Sequence, residues 1–261
     1  DTVTFSIFDA NNNLIESFGG NKPKYEDDGD SSWWSRFSST KPTTAKGINT
    51  FTWNLRYPGP TTFDGIIIWG ASATTGPKAP LGTYTVQMKV GHEVIKSYPF
   101  KIEMDPNLKG ITAEDLQKQF ELASKITEKA TIANEAVIQI RSIRKQIDSL
   151  GKGVSSRKFT KLADSFMETL TEIEEDLYQT KNQSGQDPLN FPIKLNNRFN
   201  ALQRSIENGD ARPTDAAYVV YDELTAELDG HMAKLDSALE KELPKVNAIL
   251  KDNGVSTISL D

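Results

Sequence analysis

Cysteine is absent from the 261-residue chain, and histidine occurs only at 92 and 231. Without thiols there is no disulfide framework, no thiolate zinc site and no cysteine nucleophile. Two histidines leave little for a multi-histidine metal centre or for Ser-His-Asp chemistry. No uninterrupted apolar run approaches the ~18 residues that would cross a bilayer. Net positive charge is also lacking. The formal charge of −6 argues against non-specific nucleic-acid binding, which needs clustered Lys and Arg to neutralise phosphate. No signal peptide is legible. Residue 1 is Asp and a strand-like run starts at Val3, so the chain is expected to be a piece of something longer. The remaining composition, 37% hydrophobic and 25% charged, suits one large or two ordinary globular domains.

The chemistry changes near Asp105-Pro106. All four Trp, 15 of the 23 aromatics and ten of the 17 Gly precede it. Ala, Leu, Lys, Glu and Gln dominate afterwards. Residues 1–105 carry −1 and residues 106–261 carry −5. Gly, Pro and aromatics in short runs favour strands and turns, and the second composition favours helices. The expected organisation is a multidomain all-β plus all-α chain. An Ig-like or fibronectin-like β-sandwich spans 1–105, with a long excursion over 19–46, and an antiparallel four-helix up-and-down bundle spans 106–261.

In the first half, Val3–Phe8, Leu14–Phe18, 47–57, Asp64–Trp69, 84–88 and Val94–Met104 read as strands, within a sandwich of about seven. Phe51, Trp53 and Leu55 share a face by the period of two. In the second half, Thr112-Ala113-Glu114-Asp115 resembles a capping box. Apolar residues then recur every three or four positions from Leu116 to Leu150, predicting one helix of about 38 residues and roughly 57 Å. A second helix is expected over 156–181. A third carries Leu195, Phe199, Leu202 and Ile206. A fourth starts near Pro213 and is kinked or restarted at Pro244.

Several segments carry chemistry of their own. Asp9-x-Asn11-x-Asn13 opens like an EF-hand loop, but Leu14 and Gly20 stand where Gly and a bidentate Glu belong, so a hairpin turn is expected. Glu26, Asp27, Asp28 and Asp30 form an acidic loop that is a weak calcium candidate, with a solvated loop as the plainer reading. Trp33 and Trp34, followed by Arg36, either close one end of the sandwich or present an apolar binding face. Trp69 joins them as a candidate contact for a glycan or partner. His231 falls between Leu228 and Leu235 and reads as a core or rim histidine. The run Glu172-x-Glu174-Glu175-Asp176 reads as helix-face charge, and without a Glu-x-x-His pair a di-iron bundle fails. No nucleophile, base and orienting group assemble into a catalytic set. Neither an enzyme, a resident metal nor a cofactor is expected.

A series of short motifs runs through the chain: Gly47-x-Asn49-x-x-x-Trp53-Asn54-Leu55-Arg56-Tyr57, Gly76-Pro77-x-Ala79-Pro80-x-Gly82-Thr83-Tyr84-Thr85-Val86, and Phe100-x-Ile102-x-Met104-Asp105-Pro106. Asp115-Leu116-x-x-Gln119 and Leu243-Pro244-x-x-Asn247 continue it. In order and spacing the series resembles the C-terminal region of large secreted bacterial proteins with sortilin-like, BNR-repeat β-propellers, often labelled glycosyl-hydrolase-like. Asn107 stands where that pattern has Arg. The resemblance implies an Ig-like domain and a helical region following propeller domains that are absent here, so no catalytic residue transfers. It implies a non-catalytic accessory region in the bacterial cell envelope or outside the cell. The preceding propeller, a glycan or a cell-envelope protein would be its partner. Two other readings stand beside it. One is a carbohydrate-binding module using Trp33, Trp34 and Trp69. The other is an adhesin-like scaffold whose bundle grips a partner helix.

Overall fold

A computed structural model describes residues 2–19 and 46–260. Six strands and five helices follow in chain order. Strands β1 (Val3–Phe8), β2 (Leu14–Gly19), β5 (Gly82–Val90) and β6 (Glu93–Ile102) form an antiparallel sheet in the order β2-β1-β5-β6. The β1–β2 hairpin turns where the Asp-x-Asn-x-Asn cluster predicts. Asp9 Oδ1 accepts the backbone N–H groups of Asn11 and Asn13, and Asn12 takes φ 63°. This is local Asx geometry that Asn tolerates. One face of the sheet carries Phe5, Ile7, Phe18, Tyr84 and Phe100 and is covered by residues 51–57. Phe51 stacks on Phe5 at 5.5 Å, and Trp53 meets Tyr84 and Phe100 at 5.8 and 6.1 Å.

The covering segment is not the strand that its alternation predicts. Only β3 (Arg56–Pro58) is extended into a ladder, pairing with β4 (Thr75–Lys78) in a two-stranded sheet. The Trp53 indole donates to Arg56 O, the Asn54 carboxamide accepts Arg56 N–H, and Leu55 adopts φ 57°. These local bonds bend the chain and turn Leu55 outward, while Phe51 and Trp53 keep the expected face. Asp64–Trp69 also departs from expectation. Asp64-Gly65 turns, and Phe63 and Ile66 pack against the helices. A short apolar run does not distinguish a strand from any other buried segment. The described strands therefore number four plus two, short of the seven expected.

The helices follow their periodicity closely. Helix α1 spans Ala113–Leu150, 38 residues, and Thr112 and Asp115 form the reciprocal capping box. Helix α2 (Arg157–Leu177) is capped by Ser156 and ends earlier than its pattern suggests, because Tyr178 is extended. Helices α3 (Leu195–Ile206), α4 (Asp215–Lys241) and α5 (Leu243–Asp252) complete the set, with Pro244 in the first turn of α5, where no intrahelical donor is needed. Helix α1 packs on α2 and α3, and α4 closes against the same two. The core between them holds Ile126, Ile140, Phe166, Leu170, Phe199 and Leu228, all fully buried. Among the described residues no helix is long and apolar enough to cross a membrane.

Candidate functional site

The feature that sets this chain apart is the crossing between the sheet and the helices, built by residues 56–78. They leave the sheet at β3, run over α1, α2 and α3, and return at β4. Backbone in such an irregular path lacks a ladder, so its polar groups must find other partners. Side chains of the helices supply them. Thr131 Oγ1 accepts Thr61 N–H at 3.1 Å, and the Asn134 carboxamide donates to Thr61 O at 2.8 Å. The Tyr178 hydroxyl accepts Ile67 N–H and donates to Gly65 O. Asn197 grips Trp69 twice, accepting its N–H at 2.7 Å and donating to its carbonyl at 2.9 Å. Gln203 donates to Thr75 O.

Glu207, at the end of α3, closes the seam. Its carboxylate accepts Lys78 N–H at 2.7 Å and the Arg56 guanidinium at 2.8 Å, and Arg56 also donates to Gly76 O. Gly76 is required there: a Cβ would collide with the carbonyl oxygens of Tyr57 and Pro58. Helix α3 supplies Asn197, Gln203 and Glu207, which with Asn200 lie three or four apart on one side, while Leu195, Phe199 and Leu202 face the helical core and Asn196 donates to Asn134. A helix polar on one side yet buried on both is legible as a stripe of amides. That stripe, with Gln119, Thr127 and Asn134 on α1, was the signal that sequence reasoning passed over.

Beside the seam lies a cavity of about 450 Å³ lined by Arg56, Ser72, Thr75, Asn200, Gln203 and Arg204. The Arg204 guanidinium donates to Gly70 O at its rim. Asn200 donates to Asn196 O, and its own carbonyl oxygen is buried without a partner. Trp69 stands next in the chain to this cavity, 38% exposed. Of the candidate contact residues, only Trp69 can be placed. Trp33, Trp34 and Arg36 lie outside the described residues, as do the acids Glu26, Asp27, Asp28 and Asp30.

Several titratable groups elsewhere have structural partners. Glu174 is not a surface charge: it is 2% exposed and bound by Arg141 and Arg144 at 2.7 and 2.8 Å. Arg141 in turn lies over the rings of Phe63 and Tyr178, which joins this pair to the crossing segment. His231 Nδ1 is 3.7 Å from Asp176 on the rim of α4. Burial pulls the Asp9 carboxyl upward, but hydrogen bonds from Asn13 and Asn11 outweigh it and hold the group below its ordinary value. Desolvation, reinforced by Tyr57, pushes the Tyr84 phenol well above its usual range, and its hydroxyl donates to Pro80 O. Among the described residues no cluster of three or more His, Asp or Glu is arranged to hold a metal. Comparison with protein families, curated proteins and solved structures finds no match to this chain.

Proposed function

We propose that this chain is a non-catalytic accessory region of a larger bacterial envelope or secreted protein, docking or spacing the β-propeller domains that precede it. In this reading the two sheets and the 47–55 layer are an Ig-like sandwich, residues 106–261 are an up-and-down four-helix bundle, and the boundary lies at Asp105-Pro106. The observation that carries it is the seam of Asn197, Gln203 and Glu207. It ties residues 56–78 to the helices, which supports this reading because a spacer must hold a fixed distance and angle. A catalytic cleft would instead spend its buried polar groups on a substrate, whereas here the crossing backbone consumes them. Cross-linking of the parent protein in the cell envelope tests this reading. Lysine-to-lysine links between this region and the propeller are expected. Their absence, or hydrolysis of a model glycoside that one carboxylate substitution abolishes, would overturn it.

The carbohydrate-binding alternative has one observation in its favour. An exposed Trp69 is next in the chain to Gly70, which lines a polar concavity with Asn200, Gln203 and Arg204. Aromatic rings beside hydrogen-bonding groups suit sugar rings, which have one apolar face and a polar edge. It predicts glycan-dependent quenching of fluorescence that is lost in Trp69→Phe. A flat titration across a broad glycan panel would remove it.

A further inference from the structure

The helices leave a long concave surface uncovered by other described residues. Between α2 and α5 lies a cleft of about 570 Å³, with Leu162, Ala248 and Ile249 as its apolar lining and Lys158, Lys161 and Lys245 at its rim. At Ser165 it meets a second concavity of about 560 Å³ between α2 and α4, whose apolar residues Ile173 and Ala238 are buried beneath polar walls. The two form a trough along α2 from Lys158 to Asp176. That is roughly 27 Å at 1.5 Å per residue, the length of about five helical turns. Thr169, Ala233 and Ser237 keep its walls low, which lets another helix approach to the usual ~8–10 Å interaxial distance.

The charge at one end of this trough is unusual. Helix α2 begins with Arg157 and Lys158 and has no acid in its first turn. Cations there oppose the positive end of the helix macrodipole and weaken the free helix. Lys158 and Lys161 have no ion-pair partner among the described residues, and only Lys245 is engaged, by Glu242. One acid, Asp252, shares the cleft. This positive field sits over Leu162 and Ile249 at the α5 end, while the α4 end of the trough carries Glu172, Asp176 and Glu242 beside Lys234 and Lys241. A carboxylate-bearing partner would relieve the repulsion at the start of α2, and its apolar residues would cover Leu162 and Ile249. A concave trough of this length accepts a cylinder and would not fill against a flat bilayer.

We infer that the trough along α2 is the docking site for an acidic amphipathic helix of a partner polypeptide. The partner's apolar positions recur at three- and four-residue spacing along the floor, and its acidic end lies against Lys158, Lys161 and Lys245. The inference rests on the docking reading above and adds the surface and the chemistry of what docks.

The test uses a synthetic 18-residue amphipathic helix with a Leu/Ile seam and flanking Glu, and a twin with Lys in place of every Glu. Fluorescence anisotropy reads affinity, and amide chemical shifts read the location. The acidic probe should bind, weaken with salt, and shift Leu162, Ser165, Ala248 and Ile249. The basic twin should not bind. The double variant Lys158→Glu/Lys161→Glu replaces solvent-facing residues with ones the helix N-terminus favours, so it should fold. It should weaken the acidic probe by about tenfold or more and admit the twin. Equal binding of both probes, insensitivity to the charge reversal, or shifts elsewhere would overturn the assignment. So would binding to anionic phosphatidylglycerol vesicles with no response to the peptide, or a concentration-dependent dimer lost in the double variant. Cross-links to the propeller that persist in the double variant would sink this surface and leave the accessory reading standing. Probe binding without any propeller cross-link would do the reverse.

Discussion

Replacing Glu207 tests whether the sheet and the helices fold as one body. The Glu207 side chain is 4% exposed, and its carboxylate accepts from Arg56, from Lys78 N–H and, at 3.4 Å, from Gln203. Glu207→Gln keeps the volume and one acceptor oxygen but puts an N–H donor where a guanidinium or a backbone N–H now donates. Breaking a fully buried ion pair costs about 3–5 kcal/mol, but the Arg56 side chain retains 22% exposure, which reduces the expected loss to roughly 2–3 kcal/mol. With a urea slope of about 2–3 kcal/mol/M, the midpoint should fall by roughly 1 M. The assay follows two signals. Trp fluorescence reports the first 69 residues, where all four Trp lie, and far-UV circular dichroism reports the helices. Both transitions should move together. In a double-mutant cycle Arg56→Met should couple to Glu207→Gln by about 1–2 kcal/mol. An unchanged helical transition beside a shifted fluorescence transition would refute the reasoning, because it would mean that the two parts unfold independently.

Four further outcomes follow from single sites. Phe166→Ala empties a fully buried position in the helical core and should cost about 3–5 kcal/mol in urea unfolding. Thr112→Ala removes both the cap of α1 and the hydroxyl that holds the Asp115 carboxyl below its ordinary value, and should cost about 1 kcal/mol at neutral pH. Because the folded carboxyl is depressed, its contribution is present above the ordinary Asp range and is lost as pH falls through the lower folded value. Stability measured between pH 6 and pH 2 should therefore fall less steeply in Asp115→Asn than in the wild type. Tyr178→Phe deletes the hydroxyl that serves both Ile67 N–H and Gly65 O, and should cost about 1–3 kcal/mol with faster amide exchange at Ile67.

The helical half was legible because its positions are decided locally. Apolar spacing from Leu116 to Leu150, a capping box at Thr112, a helix start near 156 and Pro244 each act within one or two turns, and each falls where the sequence places it. The end of α2 was missed because Tyr178 is drawn out of the helical pattern by distant partners, the backbone of Gly65 and Ile67. The first half was legible at β1, β2, β5 and β6, where alternation and turn residues agree. It failed over 47–55 and 64–69, where apolar residues are buried without a neighbouring strand. Phe51 and Trp53 still point inward while Leu55 turns out, so the pattern recorded burial at two of its three positions and missed the backbone conformation. Helix α3 shows the opposite case. Its seam of Asn197, Gln203 and Glu207 reads as an ordinary polar face until the crossing backbone that it serves is in view. Of the candidate contacts, Trp69 is placed, next in the chain to the polar concavity, and Asn200 belongs to the amide stripe of α3 whose use only the structure reveals.

Native-state hydrogen exchange at four amides of the crossing segment tests the account most directly. Thr61 N–H bonds Thr131, Ile67 N–H bonds Tyr178, Trp69 N–H bonds Asn197 and Lys78 N–H bonds Glu207. None of them belongs to a helix. If side chains of the helices weld the two parts into one body, these amides should be protected to the same free energy as the core amides of α1 and α3 and should exchange only with global unfolding. Exchange at rates close to those of open loops, while the helices stay protected, would mean that the crossing segment opens by itself and would contradict the account.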